Sequence, residues 1–367
     1  MPLLRDKIYL DILRVVAIFF VVFNHTSGFY FMPVSQSGTV EYWWLLLQNQ
    51  VVKMAVPMFL MVTGALLLPK DETIYDVLRK RVLRFLVVFL FVVVVQYVFH
   101  AAWMGFELRL SHIYFIMFHG NMGLCYSFYT HWFFYAYLGI LIMLPFLRMI
   151  AKAMTTQLAL YILGMQVVLC CVLPLLELIM GKYLGCSTFA YWLPFHPETD
   201  MLPYSSGYCV FYVLMGFFVE HRISLDLWRR YRVWGIALAV VCFVAGGAGM
   251  EFARSCTGCM KIDQSIVFLT AFLPIPCVVA YLSLKSACAD VSFKPMTRKI
   301  VAALGGAVFT VMLFENLFRI MLQQNRYVWL PDVGKLPAAI LITSIIYILT
   351  MLLGLTLKRI PILKRIL

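Results

Sequence analysis

Long apolar stretches, separated by short polar segments, follow one another along the whole chain. A helix that crosses the hydrocarbon core of a bilayer needs about 20 predominantly apolar residues. Ten stretches qualify: Ile8–Phe29, Trp43–Leu68, Arg84–Trp103, His131–Leu147, Gln157–Met180, Tyr204–Val219, Val233–Gly249, Ser265–Leu284, Ile300–Leu322 and Pro337–Leu357. The pattern predicts an all-α integral membrane protein with about ten transmembrane helices.

One further apolar segment, Ile113–Tyr129, is weaker because it contains His119, Gly120, Asn121 and Gly123. A full span at this point would reverse the orientation of every later span. We therefore interpret the segment as re-entrant or interfacial.

The distribution of Lys and Arg predicts the orientation of the spans. With the amino terminus inside, 21 of the 30 Lys and Arg residues fall on the inner side and six on the outer side, while three lie within spans. Positive charge accumulates on the cytoplasmic side of membrane proteins, so this bias predicts that both termini are cytoplasmic. It also accounts for most of the net charge of +13, and nucleic-acid binding is not needed to explain it.

Composition narrows the class of protein further. The 367 residues are 63% hydrophobic and 13% charged, about half the charged content of an ordinary globular chain. This excludes a cytosolic enzyme, a disordered regulator and a secreted disulfide scaffold. Without an internal repeat, a low-complexity linker or a soluble domain, residues 1–367 are predicted to form a single polytopic domain in the cell's cytoplasmic (inner) membrane, with the lipid bilayer as partner.

The first span contains three ionisable residues, Asp11, Arg14 and His25. Ionisable groups in a bilayer cost a few kcal/mol each, so they are functional candidates by default. At about 100° per residue, all three share one stripe of the helix, with His25 roughly 16 Å along the axis from Arg14. The stripe predicts a catalytic site.

A simpler interpretation is that Asp11 and Arg14 form an i,i+3 ion pair near the interface, while His25 is a satisfied polar residue. Three such residues on one stripe favour the site. Histidine suits general base catalysis near neutral pH, for example on a hydroxyl that attacks a thioester. Because no Ser or Cys stands in a recognisable nucleophile motif, direct transfer is favoured over a covalent enzyme intermediate.

Several motifs, taken in order, resemble those of the membrane acyltransferase-3 family, which includes bacterial O-acetyltransferases of surface glycans. The first is the Arg14-x10-His25 spacing in the amino-terminal span. The others are Lys53–Gly64 in the second span, Arg81-Val-Leu-Arg84 at the start of the third, His131-Trp132-Phe133 followed by Tyr137–Arg148, and Tyr212–Gly216. One departure is Glu315, which stands where relatives often have a histidine.

The resemblance implies transfer of an acyl group, usually acetyl from cytoplasmic acetyl-CoA, to a hydroxyl of a cell-envelope glycan or lipid-linked sugar. No metal is implied. Arg79, Arg81 and Arg84 would supply charge-assisted donors to the phosphates of the acetyl-CoA. For Arg79, an ordinary basic inner loop is an equally good explanation.

Four more residues are candidates for the substrate cavity: Lys53, His131, Trp132 and Glu315. Glu315 could instead pair with Arg319 at i,i+4, and His131 and Trp132 could simply lie at the outer interface. The alternative function is a secondary transporter or permease for a small polar solute. Such transporters often contain inverted repeats with broken helices in matching positions, and the sequence shows no such pairing.

Overall fold

The computed structural model describes residues 7–28, 40–105, 107–119, 132–168, 203–257, 272–323 and 335–360, with isolated positions between 172 and 183. All regular elements among these residues are helical. In chain order they are α1 (Ile8–Phe23), α2 (Val40–Lys53), α3 (Ala55–Leu67), α4 (Ile74–Val77), α5 (Arg84–Met104), α6 (Leu110–His119), α7 (Trp132–Lys152), α8 (Thr156–Val167), α9 (Pro203–Arg222), α10 (Leu225–Thr257), α11 (Pro274–Ala289), α12 (Pro295–Gln323) and α13 (Lys335–Leu357).

Local signals in the sequence fix where several helices begin and end. Thr73 and Thr155 are N-caps, whose hydroxyls accept from the backbone N–H groups three residues later, at Asp76 and Leu158. Gly105 ends α5 with φ of 72°, a left-handed conformation that favours glycine. Two π-helical segments, Asn24–Gly28 and Leu78–Leu83, extend α1 and join α4 to α5.

Seven helices are long and apolar enough to cross a membrane, which agrees with the predicted all-α membrane protein. They are Ile8–Thr26, Gln50–Leu67, Ile74–Trp103, Phe133–Lys152, Leu225–Gly249, Pro295–Leu322 and Pro337–Leu357. The other three predicted spans coincide in part with α8, α9 and α11, which do not qualify over the described residues. The count of ten spans and the cytoplasmic termini stay predictions.

The segment interpreted as re-entrant begins in α6, a helix of ten residues. At 1.5 Å per residue, α6 is about 15 Å long, half the thickness of the hydrocarbon core. Residues 120–129 of that segment lie outside the described residues.

The chain divides into two compact units, and the prediction of a single domain is not tested by this division. Unit 1 consists of Met1–Phe31, Glu72–Ile142 and Lys294–Leu367. Within it α1, α12 and α13 pack against one another, and α5 packs against α12. Unit 2 consists of Met32–Asp71 and Met143–Phe293. Within it α3 packs against α9, and α10 packs against both α2 and α11.

Glycine allows the closest helix contact in unit 2, between α3 and α9. A Cβ at Gly64 would overlap the backbone of Val213, and a Cβ at Gly216 would overlap the backbone of Met61. In a membrane, small residues at such a contact let the two backbones approach and pack. Gly64 and Gly216, both in the quoted motifs, are therefore packing residues.

Candidate active site

His25 lies in the π-helical segment Asn24–Gly28, directly after α1. π-helical turns inside helices are often found at functional sites, because the wider turn redirects side chains and frees backbone groups. The His25 side chain is 14% exposed, and its Nδ1 bonds to Oε1 of Glu315 on α12. The predicted histidine is thus held between helices of unit 1.

The bond to Glu315 defines what the imidazole can do. Glu315 is almost fully buried, and an ionised carboxylate only accepts hydrogen bonds. When Glu315 is ionised, the neutral imidazole carries its proton on Nδ1 and its lone pair on Nε2. A buried carboxylate that orients a histidine in this way also stabilises the imidazolium, as in histidine-based catalytic triads. In that state Nε2 is the basic atom.

Glu315 was expected either in the substrate cavity or in a pair with Arg319. Arg319 instead donates to Oδ1 of Asn316, at 2.8 and 3.1 Å from two of its nitrogens. The second oxygen of Glu315, Oε2, is buried without a hydrogen-bond partner among the described residues. A buried unsatisfied oxygen is costly, so its presence beside a histidine is a functional signal.

Two other hydrogen bonds hold the elements that carry His25 and Glu315. Thr26 Oγ1 lies 2.5 Å from Thr343 Oγ1, which ties the end of α1 to α13. Gln96 Nε2 on α5 donates to the carbonyl oxygen of Leu313, at 2.5 Å. Thr26, Thr343 and Gln96 are all buried. Neighbours on both sides of the His25–Glu315 bond are therefore fixed by buried polar contacts.

The other end of the stripe contains the ion pair that the simpler interpretation expected. Arg14 Nη1 donates to Asp11 Oδ1 at 3.1 Å, and both side chains are about one-third exposed or less. Asp11 packs against α12, where a Cβ at Gly305 would lie 2.6 Å from its Oδ1. Because Asp11 faces Gly305 and His25 faces Glu315, one face of α1 follows α12, and the two helices run in the same direction.

The three arginines predicted to bind phosphate differ in their surroundings. Arg81, in the π-helical segment Leu78–Leu83, donates to Glu72 at 2.7 Å. Arg79 is exposed and contacts the Tyr75 hydroxyl, and Arg84 is exposed at the first residue of α5. Arg81 thus already has a carboxylate partner, and its role in phosphate binding stays a prediction.

The remaining cavity candidates are Lys53, His131 and Trp132. Lys53 is the last residue of α2, in unit 2, and is half-buried. His131 lies outside the described residues, and so does the side chain of Trp132, the first residue of α7. Their proposed roles stay predictions.

Sequence reasoning missed Thr343, Gln96 and Lys358, which bond to the elements around the stripe. Lys358 directly follows α13, and its Nζ donates to the carbonyl oxygen of Gly306. A local signal was present for this contact, because the Gly305–Gly306 pair lies in a stretch of mostly small residues, Ala302–Ala307, within α12. Small residues on a membrane helix indicate a close neighbour.

The comparisons with known proteins agree with this architecture. The acyltransferase-3 family, described as an acyltransferase domain, matches residues 7–359, nearly the whole chain. No curated protein and no solved structure matches the chain. The matched family supports acyltransferase activity and does not favour the transporter. Since the match covers both units and every motif quoted above, the chain belongs to the membrane acyltransferase-3 family.

Proposed function

We propose that the protein is an O-acetyltransferase of the cytoplasmic membrane, which moves acetyl from cytoplasmic acetyl-CoA to a hydroxyl of a cell-envelope glycan or a lipid-linked sugar. The observation that supports the proposal is the bond between His25 Nδ1 and the buried Glu315. It provides a base of fixed tautomer inside a helix bundle of an acyltransferase family. The ten spans with cytoplasmic termini belong to the same proposal.

In the proposed reaction, the acceptor hydroxyl oxygen attacks the carbonyl carbon of the thioester. His25 Nε2 takes the hydroxyl proton as the carbon–oxygen bond forms. The tetrahedral intermediate then breaks its carbon–sulfur bond, and the departing sulfur receives the proton from the imidazolium. The Glu315 carboxylate stabilises the imidazolium between the two steps. The products are the O-acetyl ester and free CoA, and the base is regenerated.

No covalent enzyme intermediate is part of this proposal. Four free cysteines lie among the described residues: Cys209 and Cys277 are fully buried within helices, and Cys242 and Cys288 are partly buried. The two buried thiols serve as small apolar residues. Catalysis would come from holding two substrates together and from base assistance, the latter about 10²–10⁴-fold.

The test is transfer of labelled acetyl from acetyl-CoA by the purified protein in detergent or lipid discs, with the membrane glycan fraction as acceptor. We expect His25→Ala to abolish transfer. The matched control is His112→Ala, because His112 is a half-buried histidine whose described contacts are with Tyr97. Equal transfer by wild type and His25→Ala would contradict the role of His25 as base.

A further inference from the structure

Lys358 is a basic residue that the proposed mechanism leaves without a role. Its Nζ donates to the carbonyl oxygen of Gly306, and a Cβ at position 306 would lie 2.9 Å from that Nζ. The side chain is half-buried and lies against the helix backbone. Glycine at 306 therefore provides the room for the ammonium group beside α12.

Gly305, the preceding residue, accommodates Asp11 in the same manner. Asp11 in turn binds Arg14 at 3.1 Å. Two adjacent glycines on α12 thus bring an ammonium from the end of α13 and an aspartate–arginine pair from α1 to one place. This placement requires three helices and is not an isolated basic residue in an interfacial loop.

The cations at this place repel one another. Burial, together with the positive charges of Arg14 and Arg84, lowers the pKa of Lys358. Like charges that lie close together destabilise each other's charged form, and an anion between them removes that penalty.

We propose that Lys358 and Arg14 together bind the diphosphate of the nucleotide-linked acyl donor. The inference rests on the proposed function. It assigns Arg14 to donor binding, and it adds Lys358, which lies outside the family motifs. Arginine and lysine provide charge-assisted hydrogen bonds to phosphate oxygens.

The position along α1 fits this assignment. Eleven residues separate Arg14 from His25, which is roughly 16 Å at 1.5 Å per residue. A donor whose diphosphate rests on Arg14 needs an extended arm of that order to bring its thioester to the imidazole. In CoA the pantetheine arm separates the diphosphate from the thioester.

A phosphate group at this site could come from a nucleotide or from an anionic lipid headgroup, and the experiment distinguishes the two. First, calorimetry measures the dissociation constant of unacylated CoA for the purified full-length protein in neutral detergent at fixed salt. We expect Lys358→Met to raise it about tenfold, as loss of one charge-assisted contact predicts. Lys358→Arg, which keeps the charge, should stay close to wild type.

The matched control is Arg359→Met, which removes the exposed cation next along the chain. It should change the dissociation constant less than twofold. A loss in Lys358→Met no larger than that in Arg359→Met would overturn the inference.

Gly306→Ala provides a second variant that keeps the lysine. The added Cβ would meet only the flexible end of Lys358, so the ammonium moves while the helices stay in contact. We expect the dissociation constant for CoA to rise several-fold. If CoA affinity is unchanged in Gly306→Ala, the position of the ammonium does not matter and the inference fails, even where Lys358→Met does not fold.

To test binding of lipid phosphate, the thermal unfolding midpoints of wild type and Lys358→Met are compared in micelles with and without phosphatidylglycerol. If Lys358→Met loses stabilisation by this lipid while its CoA affinity is unchanged, the site binds lipid phosphate and the proposal is wrong. The proposed function fails separately: a protein that binds CoA through Lys358 but transfers no acetyl would keep this inference and reject the transferase. His25→Ala should bind CoA as wild type does.

Discussion

The two units use their buried polar residues in different ways. In unit 1 such groups meet between the sides of helices: His25 with Glu315, and Thr26 with Thr343. In unit 2 they meet the ends of helices instead. Arg148 donates through two of its nitrogens to the carbonyl oxygen of Leu67, the last residue of α3.

Another contact of unit 2 follows the same rule. His221, near the end of α9, bonds to the carbonyl oxygen of Ala65 in the last turn of α3. The last carbonyls of a helix have no partner within it and carry partial negative charge, so a hydrogen-bond donor placed there is stabilising. The buried Glu220, two residues before the end of α9, differs: it pairs with Lys285 and accepts from the hydroxyl of Tyr281 in the middle of α11.

The difference indicates that the two units have different roles. Polar contacts at helix ends complete hydrogen bonding without interrupting the apolar interior of a bundle. Polar contacts between helix sides place ionisable groups inside the bundle, which is costly in a membrane unless function requires it. Unit 1, which contains the His25–Glu315 pair, is therefore the candidate for the chemistry.

The most direct test of this comparison substitutes two buried carboxylates, one in each unit. Glu315→Gln should lower acetyl transfer about 10²–10⁴-fold, because the amide no longer stabilises the imidazolium. Glu220→Gln should lower the thermal midpoint, through its lost contacts with Lys285 and Tyr281, but leave transfer per folded molecule unchanged. Equal losses of transfer in Glu315→Gln and Glu220→Gln would contradict a catalytic role for the first carboxylate and a purely structural role for the second.

Glycine packing gives the next largest effect, on stability. Gly64→Ala places a Cβ on the backbone of Val213, and overpacking of this kind costs about 1–3 kcal/mol or more. Gly139→Ala is the control, because nothing lies within 4 Å of the added Cβ. Thermal unfolding in detergent should separate the two variants, and similar midpoints would mean that α3 and α9 do not pack closely.

Arg148→Met tests the helix-end contacts directly. The carbonyl of Leu67 loses its buried donor, and such a loss costs about 1–3 kcal/mol. Lys152→Met, four residues later, removes an exposed cation whose contact with Asp71 is at 3.6 Å, and should have little effect. We expect acetyl transfer, measured per folded molecule, to be unchanged in both. A specific loss of transfer in Arg148→Met would place unit 2 in the chemistry.

The smallest effect is expected from Thr343→Val, which removes the hydroxyl pair between α13 and the segment that contains His25. One hydrogen bond contributes about 0.5–1.5 kcal/mol to stability. Because Thr26 keeps its bond to the carbonyl of Val22 at 2.9 Å, the segment should remain helical. Transfer should fall by a few-fold at most, measured as kcat, and a complete loss would give Thr343 a direct role in the site.

Much of unit 1 was predictable because the signals are local. The 3.6-residue period put Asp11, Arg14 and His25 on one stripe, and the Asp11–Arg14 pair forms at i,i+3. The i,i+4 alternative paired Glu315 with Arg319, whereas the described partner of Glu315 is His25, 290 positions away. The helical period relates only residues a few positions apart, so it cannot predict a partner at that separation.

The sequence by itself determined that the chain is helical, that it belongs in a membrane and which ionisable residues lie inside its first span. Long apolar runs, the cost of buried charge and the motif order were enough for this. Only the tertiary structure decided that His25 meets Glu315 and that Lys358 lies beside Gly306. The reason is that membrane helices are apolar on both their lipid-facing and their helix-facing sides. Composition therefore cannot tell which face of a helix meets which neighbour. The packing of small residues and the buried polar pairs determine this.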